Sequence, residues 1–148
     1  MKNSASGADA RANDATVFAW LRLLRVFHKI DRAASERFAG QGLTVAQFDV
    51  IAQLGAAEGI TQQELADRLL VTKGNVSQLL AKLERRGWIR RCQEGRANAL
   101  FLTPAGREIF VTIVPDHEAF IATRFAALSP EERRTLHRLL RDLDHALE

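Results

Sequence analysis

The stretch "VTKGNVSQLLAKLERRGWIRRCQEGRANALFLT", residues 71–103, gathers positive charge and then changes its apolar period. Val76, Leu79, Leu80 and Leu83 recur at three- and four-residue steps up to Gly87, the stripe an amphipathic helix presents to a core. Lys73, Asn75, Ser77, Gln78 and Lys82 fall on the side away from that stripe. Beyond Gly87, residues 88–92 and 98–102 read as two strands joined by the polar, glycine-containing segment 93–97, a hairpin with Arg96 near its tip.

Just upstream, Thr61-Gln62-Gln63-Glu64 has the S/T-x-x-E form of a capping box, in which each side chain satisfies a free amide of the other residue. The helix it starts buries Leu65 and Leu69 and is short, because Thr72 offers a new cap three residues later. A short helix, a tight turn and a longer helix make a helix-turn-helix. Polar side chains in the first turns of the second helix are what reading base edges requires, although a solvated helix face would look the same. With the basic hairpin following directly, the predicted unit is a winged helix.

Charge supports a shared polyanionic partner for helix and hairpin. Residues 1–71 carry eight Lys/Arg against eight Asp/Glu, whereas residues 72–100 carry seven against two and residues 101–148 six against eight. A local excess of this kind attracts nucleic acid first.

Outside this unit the pattern is helical. Val17, Phe18, Leu21, Leu24, Phe27 and Phe38 predict a long amphipathic helix over about 15–38, stopped by Gly40 and Gly42. Thr44 caps a shorter helix through Phe48, Ile51 and Leu54. Thr103-Pro104 opens a helix expected to reach about Leu128 with a kink at Pro115, and Ser129-Pro130 opens another that carries Leu136, Leu139, Leu140 and Leu143. The fold class expected is mainly α with a small β-hairpin wing. The chain of 148 residues suits one core without disulfide or metal, its single cysteine is Cys92, and no apolar run approaches membrane length. The polar start, without the apolar core of a signal peptide, points to a cytoplasmic protein.

"LAKLERRGWIRR", Glu94-Gly95-Arg96 and "LFLTPAGREI", in this order, resemble three segments of the MarR family of bacterial transcriptional regulators: the Leu-Glu-basic-basic-Gly-Leu/Trp-Val-x-Arg run, the Asp-Arg-Arg wing tip and the Leu-Thr-x-x-Gly helix opening. The likeness runs from about residue 15 to the end. It departs at the wing, where Glu94 and Gly95 stand for aspartate and the first arginine and the preceding loop is about three residues short.

The polar, small-residue start predicts a disordered tail over 1–13; the resemblance implies an N-terminal dimerisation helix over 14–42, a winged helix-turn-helix over 43–103 and C-terminal dimerisation helices over 104–148. It further implies a homodimer that places two winged helices on a pseudo-palindromic operator in double-stranded DNA, as a repressor relieved by a small ligand. The terminal helices agree, since they carry more apolar stripe than a monomer of this size easily covers. Thr72, Lys73, Asn75, Ser77 and Gln78 would enter the major groove, with Lys82 beside them; Gln62 and Gln63 would hold phosphate, and Arg96 would lie at the minor groove. Arg86, with Arg85, Arg90 and Arg91, suits phosphate contact and plain solvation equally.

A small aromatic or phenolic effector is also implied, for which Trp20, His28, Arg32, His117, Phe120 and Arg124 are candidate walls and anion partners; the same residues suit ordinary core and surface. Cys92 has helpful arginines but no second cysteine in the chain to resolve a sulfenic acid, so a packing role is expected. The four histidines lack metal-site spacing, and no phosphate loop, nucleophile elbow or paired catalytic acids occur, so neither cofactor nor enzyme activity is expected. The rival from another class is a winged helix that docks an acidic protein partner without DNA.

Overall fold

One helix, α1 (Ala5–Gly40), dominates the first of two units, Met1–Val45 and Ala46–Glu148, in the computed structural model, which describes residues 5–69, 75–94 and 97–148. It begins at Ala5, inside the stretch 1–13 expected to be a disordered tail. The polar character of that stretch hid its content of Ala5, Ala8, Ala10 and Ala12, the residue type with the highest helix propensity. At the other end Gly42 takes φ 74°, Leu43 N–H donates to the Phe38 carbonyl at 2.9 Å and Gly42 N–H to that of Ala39 at 3.1 Å. This is the Schellman arrangement, and its left-handed residue explains why glycine stops the helix. Phe38 and Leu43 are buried, whereas Val17, Phe18, Trp20, Leu21, Val26 and Phe27 are 43–67% exposed.

The second unit runs α2 (Val45–Ala56), β1 (Ile60–Thr61), α3 (Gln62–Arg68), α4 (Val76–Arg85), β2 (Ile89–Glu94), β3 (Ala97–Leu102), α5 (Pro104–Arg124) and α6 (Pro130–Ala146). The strands form an antiparallel sheet in the order β1-β3-β2, with Arg91 opposite Leu100 and Ile60 also opposite Leu100. A hairpin alone was expected; β1 is an addition, too short at two residues to show a period. Val50, Ile51, Leu54, Leu65, Leu80, Leu83 and Leu100 are the fully buried core, contributed by α2, α3, α4 and β3. Each such side chain stabilises the fold by about 1.5–3 kcal/mol relative to exposure.

Helix α4 starts at Val76 after Asn75, and the cap expected at Thr72 lies outside the described residues. One further boundary differs from expectation. Helix α5 ends at Arg124, short of Leu128. Ser129 must be extended (ψ 161°) to cap α6 and precede Pro130, so the chain has to leave helical geometry in the turn before it. The helix runs on through Pro115.

The segments ending at Gly87-Trp88 and starting at Thr103 meet in space. Gly87 (φ 73°) closes α4, with Trp88 N–H donating to the Leu83 carbonyl at 3.1 Å. Thr103 N–H then donates to the Trp88 carbonyl at 3.0 Å, and the Thr103 hydroxyl accepts from Gly106 N–H at 3.1 Å while donating to the Gly87 carbonyl. A Cβ at Gly106 would overlap the Trp88 carbonyl oxygen, a backbone atom that cannot step aside alone. Gly106→Ala is therefore expected to destabilise the fold by about 1–3 kcal/mol. Urea denaturation measures this, and an unchanged midpoint would contradict the packing.

Candidate nucleic-acid interface

Helix α4 separates two kinds of side chain. At about 100° per residue, Asn75, Gln78, Lys82 and Arg85 follow one line and Val76, Leu80 and Leu83 another. The second set is at most 7% exposed, while Asn75, Ser77, Gln78, Lys82, Arg85 and Arg86 are exposed. The first face offers amide groups able to pair with adenine and cations able to meet phosphate.

Asn75 has a second task that sequence reasoning missed. It takes φ 65° and ψ 39°, the left-handed region, immediately before α4. Asparagine tolerates that conformation better than most residues with a side chain. Substitution by glycine and by alanine therefore separates the two tasks. Asn75→Gly is expected to keep stability and lose DNA affinity, whereas Asn75→Ala also loses about 1 kcal/mol of stability. Equal melting temperatures for the two variants would contradict the backbone role.

The preceding helix is set by its cap. Thr61 N–H donates to the Glu64 carboxylate at 2.7 Å and Glu64 N–H to the Thr61 hydroxyl at 3.2 Å, the capping box expected from the sequence. The backbone N–H and then the side chain of Thr61 hold the Glu64 carboxyl below the ordinary glutamate range, desolvation opposes this, and Arg68 adds to it. A depressed carboxyl gives stability that is complete above the ordinary carboxylate range and lost as pH falls through the lowered value. An NMR titration should place the Glu64 midpoint below the ordinary glutamate range. A midpoint within or above that range would contradict the cap.

The remaining predicted contacts divide. Gln63 is exposed and donates to Asp67 at 3.2 Å; Gln62 is half-buried and its carbonyl accepts from Arg91 at 3.1 Å. Arg86 lies 3.7 Å over the Trp88 ring and Arg90 4.5 Å over that of Phe101. Arg91 also reaches Glu84 at 3.0 Å. Thr72, Lys73 and Arg96 lie outside the described residues.

The effector candidates fall in both units. On α1, Trp20, His28 and Arg32 are exposed, with Arg32 paired to Glu36 at 3.2 Å. In the second unit His117 packs between Phe48 and Phe120, at 4.7 and 5.7 Å between ring centroids, and Arg124 lies 4.6 Å over Phe120. Cys92 is half-buried on β2 opposite Ala99. Among the described residues no cluster of three His, Cys, Asp or Glu could hold a metal, and no helix is long and apolar enough to cross a membrane.

Residues 41–97 match the model of the MarR family. A Bacillus cereus protein named as an uncharacterized HTH-type transcriptional regulator is 34% identical over 122 residues, covering 82% of this chain and 83% of its own. Among solved structures, the Staphylococcus aureus MepR–DNA complex superposes with a TM-score of 0.77 at 25% identity, over 88% of this chain and 98% of that one. A mutant MarR from E. coli complexed with operator DNA gives 0.75 at 27%, over 86% and 95%. With the winged helix described above and a relative of this similarity spanning most of both chains, the protein belongs to the MarR family of transcriptional regulators.

Proposed function

We propose that the protein regulates transcription by binding a pseudo-palindromic operator in double-stranded DNA as a homodimer, with α4 in the major groove. The observation that carries this is the exposed line of Asn75, Gln78, Lys82 and Arg85, set opposite a fully packed stripe on the same helix. Polar residues that stabilise nothing in the core are available to bases and phosphates. Solved relatives on DNA support the same reading. The proposed contact set further includes Ser77, Gln62, Gln63 and Arg86, with Thr72, Lys73 and Arg96.

The exposed apolar residues of α1, together with Leu139, Leu140 and Leu143 of α6 at 38–53% exposure, support dimerisation through the terminal helices. The aromatic group around His117, with Arg124 beside it, supports a small phenolic or aromatic anion as the effector that relieves repression. The protein acts in the cytoplasm and performs no catalysis. A winged helix that serves only protein assembly is not favoured, because it leaves the α4 face and the DNA-bound relatives without explanation.

Fluorescence anisotropy with duplex DNA tests the proposal. Log affinity should fall with log salt by about 0.9 for each phosphate neutralised, giving a steep dependence when both subunits contribute. A flat dependence, or no binding at low salt, would overturn it.

A further inference from the structure

Arg91 occupies an unusual place for a cation. On β2 it lies two residues from Ile89, which is 2% exposed, and opposite Leu100, which is fully buried, so strand alternation puts it on the inward face of the sheet. Arg90, one residue earlier, belongs to the other face and covers its cross-strand partner Phe101. A cation on an apolar face needs acceptors. Arg91 finds two: Nε donates to the Glu84 carboxylate at 3.0 Å, and Nη1 donates to the Gln62 side-chain carbonyl at 3.1 Å. Glu84 lies in the last turn of α4, and Gln62 is the first residue of α3. A planar guanidinium thus ties the first wing strand to both helices of the helix-turn-helix, a task its rigid fork suits and a lysine ammonium does not. With the Gln62 carbonyl turned to Arg91, the N–H end of that amide faces away from it.

We propose that Arg91 is a positioning residue for DNA binding: it touches no nucleic acid, and it holds β2 against α3 and α4 so that recognition helix and wing meet the duplex as one fixed surface. This rests on the DNA-binding reading above. A phosphate contact by Arg91 is the opposing account, and the two differ in sign at Glu84. Removing an acid beside DNA should tighten binding if charge alone matters, and weaken it if the acid anchors Arg91.

The test compares the full-length parent chain with Arg91→Ala, Arg91→Lys, Glu84→Ala and the Arg91→Ala/Glu84→Ala pair, on one duplex across a salt series, with thermal melts alongside. We expect Arg91→Ala and Glu84→Ala each to lose affinity on the order of tenfold with the salt slope of the parent. The pair should lose no more than either alone, and Arg91→Lys should fail to restore affinity although it keeps the charge. A slope lowered by about 0.9 in Arg91→Ala, unchanged or tighter binding by Glu84→Ala, or full activity of Arg91→Lys would each overturn the proposal. If Arg91→Ala does not fold, Arg91→Lys and Glu84→Ala decide by the same criteria. Failure of the parent chain itself to bind any duplex overturns the DNA-binding reading instead.

Discussion

Leu83→Ala is expected to destabilise the fold by about 2–5 kcal/mol, and with it to lose DNA binding, because it empties a fully packed site. Gln78→Ala, five residues earlier on the same helix, is expected to leave stability within about 0.5 kcal/mol and to weaken DNA binding by about 1–3 kcal/mol. The contrast follows from α4 alone. Leu83 is wholly inaccessible and joins Leu80, Leu65 and Leu54 in the core, whereas Gln78 is exposed on the opposite face. Urea denaturation and duplex titration on the two variants separate the effects. A large stability loss in Gln78→Ala, or unimpaired DNA binding with it, would mean that the helix presents a different face to its partner.

The second large effect concerns assembly. Phe18 and Leu21 stand one helical turn apart on α1 and are 67% and 50% exposed. In a monomer, replacing both by glutamate would be near neutral, as surface changes usually are. In the proposed homodimer the pair Phe18→Glu/Leu21→Glu buries two charges without partners, which costs several kcal/mol at each subunit. Light scattering should then change from twice 16.5 kDa for the parent to 16.5 kDa for the variant. Operator affinity should fall by roughly 100-fold or more as the linkage between two half-site contacts is lost. A variant that keeps the parent's mass and affinity would place the interface elsewhere.

The architecture was legible in the sequence wherever one residue type has one strong physical reason to be there. Thr61 with Glu64 forms the reciprocal cap its spacing implies, and Ser129 opens α6 as expected, forming with Glu132 a second such cap. Gly87 stands where α4 closes through a left-handed residue, and the stripe through Val76, Leu80 and Leu83 packs as its period requires. Features that depend on distant partners were not legible. Strand β1 exists because Ile60 and Thr61 find Leu100 and Ala99, nearly forty positions away. Arg91 reads as a surface cation in the sequence because its acceptor Gln62 lies 29 residues away. The alternation of Ile89 and Arg91 already held the signal, since both fall on the face that Leu100 covers. The amide of Asn75 suits base reading, and its left-handed backbone conformation is an equally physical reason for its presence.

The central claim is that the exposed face of α4, presented twice by a dimer, grips duplex DNA. Hydroxyl-radical footprinting on a fragment selected for binding tests it most directly. Two protected patches are predicted, centred about one helical turn or roughly 34 Å apart, and both should fade together in Gln78→Ala/Lys82→Ala while that variant stays folded. A single patch, or protection that survives loss of both side chains, would contradict the account.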